Sequence, residues 1–345
     1  MRRNIFLIAS IVVSAGFLWL ALRDVPLEDV LNTIRQANVL WLLAGLALIA
    51  AGLWARALRW RGLVGFRIAR VQAFHLLNIT MLLNQMPLRA GEVARSLLAT
   101  RSGVPVMTAA TSIVVERLLD TLLVVVLLAA ALTQLPDAPA SATQAAAFFG
   151  AATVAAFIVL VFFARFPSVP RAVLAFVERL LPPLRRLRLG RLLDHVLDGL
   201  RPLTNWRGAL HAVFWTLASW GFSTATFVCY MLALNVQENI LLMAVLSMTL
   251  ASFSIAIPVS VAAIGPYEGA VRVAGDAVRM APTLSTALGF LIHGVNILGY
   301  AVLGVISLIV TGVSLSDVLR QTQTPPAETA DTAAPALGGE SMRVK

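Results

Sequence analysis

Charge is what this chain has least of. Asp, Glu, Lys and Arg together make up 13% of its 345 residues, about half the share of roughly 25% usual in soluble domains. A soluble protein of this length could not cover its surface with so few charges. Cysteine is nearly missing as well: Cys229 stands alone, which excludes an intramolecular disulfide and a cysteine-based metal site. Its position inside an apolar run marks it as a small core filler. The four histidines follow no metal-ligand spacing with Glu or Cys. No glycine-rich nucleotide loop and no Asp-x-Asp pair is present, so no cofactor is expected. Lysine occurs once against 26 arginines, a compositional background without mechanism.

What the chain does have is apolar length. Hydrophobic residues are 59% of the sequence, and several runs reach the roughly 20 residues of helix needed to cross a hydrocarbon core of about 30 Å. A β-barrel would instead show short alternating segments. The composition therefore predicts an all-α, polytopic membrane helical bundle. Clear spans are expected at 5–22, 39–58, 112–133, 145–163, 210–234 and 285–312, with a further run at 240–263 interrupted by Pro258. The N-terminal run is long and lacks a small-x-small cleavage site, so it reads as a first membrane helix rather than a signal peptide. Residues 1–315 form the membrane domain, and the Ala/Thr/Pro/Gly-rich stretch 316–345 reads as a disordered tail.

The net charge of +10 does not point to nucleic acid, since the arginines fall in loops and at helix ends, where orientation signals and anionic headgroups account for them. Residues 56–70 carry five Arg and no acid, and 164–209 carry nine Arg against Glu178, Asp194 and Asp198, whereas 134–144 and 235–239 carry none. The positive-inside rule places the N-terminus and both Arg-rich segments in the cytoplasm. The 164–209 stretch reads as a basic, amphipathic cytoplasmic loop. With both 71 and 112 starting inside, 73–100 cannot cross once, so it is expected to dip in and return, or to cross twice in short pieces. Pro87 and Gly91 favour a break near "QMPLRAG". The run at 240–263 is expected to behave alike, breaking around "IPVSVAAIGPYEG" and returning through 266–280. The sum is about six full spans plus two re-entrant broken-helix hairpins of opposite direction, a device transporters use to build a polar site at mid-membrane. In the alternative, 240–263 crosses fully and the tail lies outside.

Four polar clusters remain once loop charges are set aside. In the first, Asn84, Pro87, Arg89, Glu92 and Arg95, the three charges are three apart and form one ridge on a helix. Such a ridge at a helix start can hold an anion through guanidinium forks and the helix N-terminus; a solvated ion pair at an interface is the plainer reading. In the second, Glu116 and Asp120 are four apart with Arg117 beside them. They can pair with Arg89 or Arg95, or carry a proton, unless they simply lie at headgroup level. The third holds Pro258, Gly265, Pro266, Tyr267, Glu268, Gly269 and Arg272, with Glu268 and Arg272 spaced as an i,i+4 pair. The fourth, His293 and Asn296, suits hydrogen bonding between helices. His75 and Asn78 read the same way. Trp41, Trp54, Trp60 and Trp206 near span ends read as interfacial belts.

Four stretches, "RALRWR" (Arg56 to Arg61), "NQMPLRAGEVAR" (Asn84 to Arg95), "ERLLDTL" (Glu116 to Leu122) and "IPVSVAAIGPYEG" (Ile257 to Gly269), occur in an order and spacing that resembles the membrane region of lysylphosphatidylglycerol synthases and its stand-alone, flippase-like relatives. The resemblance covers roughly 1–315. It implies handling or translocation of an anionic or polyprenyl-linked lipid across the bacterial cytoplasmic membrane, with Arg89, Glu92, Glu116, Arg117, Asp120 and Glu268 as the matched polar positions. The last of these stretches departs from the family, since Val259, Ser260, Val261 and Ala262 follow Pro258 where a Pro-Gly or double-Gly turn is usual. The family's aminoacyl transfer belongs to a separate soluble domain, for which the 46-residue loop 164–209 has no room. A membrane lipid is thus the expected substrate, with a second copy of the chain or a lipid-modifying enzyme as candidate partners. A membrane-embedded transferase and an accessory subunit in lipid, glycolipid or hopanoid synthesis are the competing readings. A green fluorescent protein fused after residue 315 is expected to fluoresce in the cytoplasm, and alkaline phosphatase at 134–144 to be active outside; a dark C-terminal fusion selects the alternative topology.

Overall fold

The computed structural model describes residues 12, 14–19, 21–86, 90–135, 140–181, 189–236, 239–256 and 261–315. The described residues form helices and connecting turns, with no strand among them. Of the first expected span, 5–22, residues 12, 14–19, 21 and 22 are described and all are helical. Then follow α1 (Leu27–Arg35), α2 (Val39–Leu63), α3 (Arg70–Asn84), α4 (Gly91–Ala99), α5 (Val106–Leu132), α6 (Ala140–Arg165), α7 (Ser168–Leu180), α8 (Leu189–Thr204), α9 (Trp206–Ala233), α10 (Ile240–Ala256), α11 (Pro266–Ala277) and α12 (Pro282–Thr311).

Local signals set the ends. The Asn38 side chain accepts from Leu40 N at 2.9 Å and caps α2, and Asn205 does the same for α9 through Arg207 N at 3.2 Å. Prolines open α11 and α12 at positions where a missing N–H costs nothing, and Gly312 closes α12 in the left-handed region with φ 63°.

Four of the described helices, α2, α6, α9 and α12, are long and apolar enough to cross a membrane. The 27-residue α5 is as long but carries Glu116, Arg117 and Asp120 in its interior. By length, α3 and α4 span only about 22 and 14 Å, and α10 and α11 about 25 and 18 Å, all short of a hydrocarbon core of about 30 Å. The expected breaks therefore fall where helices too short to cross meet, and each short pair packs on itself. Pro87 and Arg89 lie outside the described residues, as do Pro258 and the tail 316–345.

α2 and α9 share the most extensive contact, because glycine lets their backbones approach: a Cβ on Gly45 would clash with the Tyr230 ring, and one on Gly62 with His211. α12 is the seam of the molecule, packing against α3 of the first hairpin and α11 of the second. Buried Ser307 on α12 accepts from Asn78 Nδ2 at 3.1 Å and lies 3.0 Å from His75 Nδ1. The basic 164–209 stretch carries two amphipathic helices, α7 and α8, among its described residues. α8 folds back so that Leu197, Leu200 and Leu203 bury against Leu63, Val115, Leu119, Ala164 and Ala212, while α7 leaves Val173, Phe176 and Leu180 exposed.

The first hairpin closes at Gly91, where a Cβ would run into the Thr80 carbonyl and the Asn84 side chain. Gly91→Ala is expected to destabilise the protein by about 1–3 kcal/mol through overpacking against backbone that cannot yield, read as a lower thermal midpoint in detergent. An unchanged midpoint would show that α3 and α4 are not held this closely.

Candidate functional site

Of the expected Arg89–Glu92–Arg95 ridge, Glu92 and Arg95 are described, and both reach across to α5. Arg95 Nη2 donates to Glu116 Oε2 on α5 at 2.6 Å, and Glu92 pairs with Arg117, also on α5. The returning helix of the first hairpin is thus bolted to α5 at two points. The two carboxylates of α5 do pair with arginines, but Asp120 does not take Arg95. Its partner is Arg59 of α2, which grips it with Nη1 to Oδ1 at 2.6 Å and Nη2 to Oδ2 at 3.1 Å. This is the planar fork-to-carboxylate geometry that arginine suits and lysine does not. Trp220 of α9 donates to the same Oδ1 at 2.9 Å, Thr216 Oγ1 accepts from Arg59 Nη1 at 3.2 Å, and Glu116 stands 3.6 Å from Arg59 Nη2. Burial among protein groups, not solvation at headgroup level, is the state of Arg59, Arg95 and Glu116, which are 2%, 3% and 4% exposed.

Three cations, Arg59, Arg95 and Arg117, meet three anions, Glu92, Glu116 and Asp120, so this core of the network is neutral. It runs from an open end, where the Arg117 and Glu92 side chains are 53% and 31% exposed, to a closed end at Arg59. Bonding is incomplete in one place. Arg95 uses Nη2, but its Nε and Nη1 are buried with no hydrogen-bond partner among the described residues, as is Arg59 Nε. The Arg95 guanidinium lies 4.8 Å over the Trp60 ring, which answers its charge but not its N–H groups. Trp60 itself, expected in an interfacial belt, is fully buried and donates to Ser112 Oγ at 2.9 Å. Asn84 closes the first hairpin beside Gly91.

The second hairpin carries a separate site. The expected Glu268–Arg272 pair does not form: Arg272 Nε donates to Asp276 Oδ1 at 2.9 Å, one turn further on. Glu268, 3% exposed, instead reaches back to cap its own helix, its Oε2 accepting from Gly265 N at 2.7 Å. Its Oε1 lies 2.7 Å from His293 Nδ1 on α12, and His293 Nε2 lies 2.9 Å from the Ala262 carbonyl. Tyr267 stacks on the imidazole with ring centroids 4.3 Å apart and planes at 19°. The turn so held is costly: Ala262, Ala263 and Gly265 have φ of 51°, 59° and 94°, and left-handed backbone costs a non-glycine residue about 1–2 kcal/mol. A Cβ on Gly265 would also strike the Ser14 backbone, so this break rests against the N-terminal helix. The first hairpin's counterparts, His75 and Asn78, bond to Ser307 and take no part in the charged network.

Reading by sequence passes over Arg59 as a site residue, and it gives His293 a bond between helices without naming Glu268 as the partner. Arg59 counts there as a loop charge that sets orientation, yet it continues the stripe Gly45, Gly52, Ala55 at helical spacing, the signal that α2 runs past the expected end at 58. The pairing of His293 with Glu268 joins residues 25 apart across a turn and has no sequence signature. Among the described residues no group of His, Cys, Asp and Glu could hold a metal ion.

Removing one partner of a buried ion pair leaves the other unpaired, at a cost of about 3–5 kcal/mol. Asp120→Leu is therefore expected to lower the thermal midpoint sharply, and the Arg59→Leu/Asp120→Leu double variant to recover a large part of the loss. A double variant as unstable as the sum of the singles would show the two sites to be independent.

A family model described as the lysylphosphatidylglycerol synthase TM region matches residues 7–304. No curated protein and no solved structure matches the chain. Its long apolar helices make it a multi-pass membrane protein, and with nearly the whole membrane domain matched, the chain belongs to the lysylphosphatidylglycerol synthase transmembrane-region family, which ties it to lipid-related processes.

Proposed function

We propose that the network between the first hairpin and α5 receives the phosphate of an anionic phospholipid or a polyprenyl-phosphate-linked lipid, and that the protein carries this headgroup across the bacterial cytoplasmic membrane while the acyl or prenyl tails stay in lipid. The observation that carries the reading is Arg95: a buried guanidinium with two N–H groups unpartnered among the described residues, set behind the half-open Glu92–Arg117 pair. An unmade hydrogen bond on a buried cation is expensive, and a phosphate oxygen is a fitting acceptor for a planar fork. The six-residue core is neutral, and its exposed pair, Glu92–Arg117, is where a phosphate could exchange with a carboxylate.

In this reading Arg117 is the entry group, exchanging Glu92 for the phosphate, while Arg59 and Asp120 hold the scaffold and never release each other. The short, broken helices supply the polar path that a straight apolar span would deny a headgroup.

The test is headgroup translocation in proteoliposomes, with fluorescent phosphatidylglycerol and a fluorescent polyprenyl phosphate. Wild type is expected to move at least one of them. Arg89→Ala, which removes a cation of the "NQMPLRAGEVAR" stretch, is expected to slow it at least about tenfold, the size of one lost charge-assisted bond of about 1.5–3 kcal/mol, while thermal stability is kept. Glu92→Gln is expected to alter the rate through Arg117. A wild type that moves neither lipid overturns the proposal, and release of a soluble product would instead identify a transferase.

A further inference from the structure

The two buried carboxylates among the described residues, Glu116 and Glu268, are held in different ways. Glu116 is met by Arg95 and Arg59, whose protons are never released at physiological pH. Glu268 is met by His293, whose imidazole, unlike a guanidinium, can exist with or without its second hydrogen. That difference has geometric consequences at the second hairpin.

Both nitrogens of the His293 ring face oxygen. The Ala262 carbonyl, 2.9 Å from Nε2, can only accept, so Nε2 carries a hydrogen. Oε1 of Glu268 lies 2.7 Å from Nδ1, and a contact that short needs a hydrogen between the two. The hydrogen sits on the ring, giving imidazolium and carboxylate, or on the acid, giving imidazole and carboxylic acid. In both cases the pair holds one exchangeable proton and has no net charge, which suits a site 3% and 6% exposed. Without that proton, two lone pairs would oppose each other at 2.7 Å. The ring cannot turn aside in place, because Tyr267 stacks on its face.

The same two side chains hold the break in the hairpin. His293 donates to the Ala262 carbonyl and Glu268 accepts from Gly265 N, pinning a turn whose Ala262, Ala263 and Gly265 all have positive φ. The other polar and charged groups facing the pair are few. From the pair's own helix α11 come Tyr267 and Arg272, the latter held by Asp276 and donating to Thr286. From α12 come Asn296 and Tyr300, and from α9 Tyr230. α10 has no titratable residue, and the N-terminal helix approaches with the Ser14 carbonyl and Phe17.

We infer that Glu268 and His293 form a proton-binding site, and that its occupancy controls the break of the second hairpin: with the proton bound the Val261–Ala263 turn is latched, and on its loss the turn is released. The ligand class is the hydrogen ion itself, and the inference stands apart from the identity of any lipid cargo. The step is a plain acid–base exchange in which the N–H···O hydrogen leaves to water as the turn opens.

The test uses the full chain in nanodiscs with imidazole-15N histidine, titrated from about pH 5 to about pH 9. The protein has four histidines, at 75, 195, 211 and 293, so a His75→Gln/His195→Gln/His211→Gln variant leaves His293 as the sole imidazole, with single substitutions in otherwise wild-type protein as the second route to assignment. His293 is expected to show hydrogen on both nitrogens or one shared with the acid at low pH, and to lose one proton on titration. Hydrogen-exchange protection of amides 261–269, corrected for intrinsic rates, is expected to fall at least about tenfold over the same pH range. Glu268→Gln, which cannot share the hydrogen as an acid, is expected to remove the pH dependence of protection at 261–269. A ring that keeps one protonation state throughout overturns the inference, and so does a titration that leaves protection of 261–269 unchanged. Both readouts come from protein with Glu268 and His293 intact, so misfolding of the Glu268 variant does not blunt them.

Discussion

A cation buried in an apolar bundle must find its counter-charges inside the protein, and the Arg59 guanidinium governs much of this architecture. Its fork spans Asp120 and approaches Glu116 on α5, while a third bond goes to Thr216 on α9. Three helices distant in sequence are thereby tied to one point. Glu116 passes the constraint on to Arg95, and so to the first hairpin, whose short returning helix would otherwise have little to hold it. Helix association in a membrane draws little help from the hydrophobic effect, so buried charge pairs and glycine contacts do the orienting that an oily core does in a soluble protein.

The two hairpins show two uses of a buried carboxylate. In the first, every carboxylate of the network is gripped by arginine, so the arrangement is static in proton terms and its variable is which anion the guanidinium groups hold. In the second, imidazole replaces guanidinium, and the variable becomes the proton. Each use matches its backbone. The first hairpin's described edges are ordinary helix, drawn together at Gly91, whereas the second carries consecutive left-handed alanines that stay put only while side chains hold them.

Most of the architecture is legible in the sequence because it rests on one-dimensional signals. Apolar run length marks α2, α6, α9 and α12, and the parity argument from Arg-rich and Arg-free loops rules out a single crossing at 73–100 and points to a break at 240–280 before any contact is known. The Glu92, Arg95, Glu116, Arg117 and Asp120 constellation is legible as a set, since charges that deep require partners. Its wiring is not. Spacing suggests pairs along one helix, Glu92 with Arg95 or Glu268 with Arg272, but a side chain that faces a neighbouring helix bonds there instead, and which helix faces which is a property of the packed bundle. Arg59 escapes for a related reason: a charge near the end of an apolar run looks solvated until another helix is laid across it. Trp60 escapes with it, its indole facing Ser112 rather than a lipid headgroup.

His293 and Ser307 stand fourteen residues apart on α12, close to four full turns at 3.6 residues per turn. One bonds the second hairpin and the other the first, so both hairpins lie against a single face, with Gly289 and Gly304 in the same stripe admitting the backbone near Glu268 and the Leu82 side chain. The opposite side, Leu298, Val302, Val305 and Ile309, is exposed. α12 is in this sense a ruler as much as a span. Substitutions between the two marks change what is written on it, but one inserted residue would rotate the marks by about 100° relative to each other, sending one hairpin's contact toward the exposed side. The spacing is therefore a quantity the fold must conserve even where the residues between the marks are free to vary.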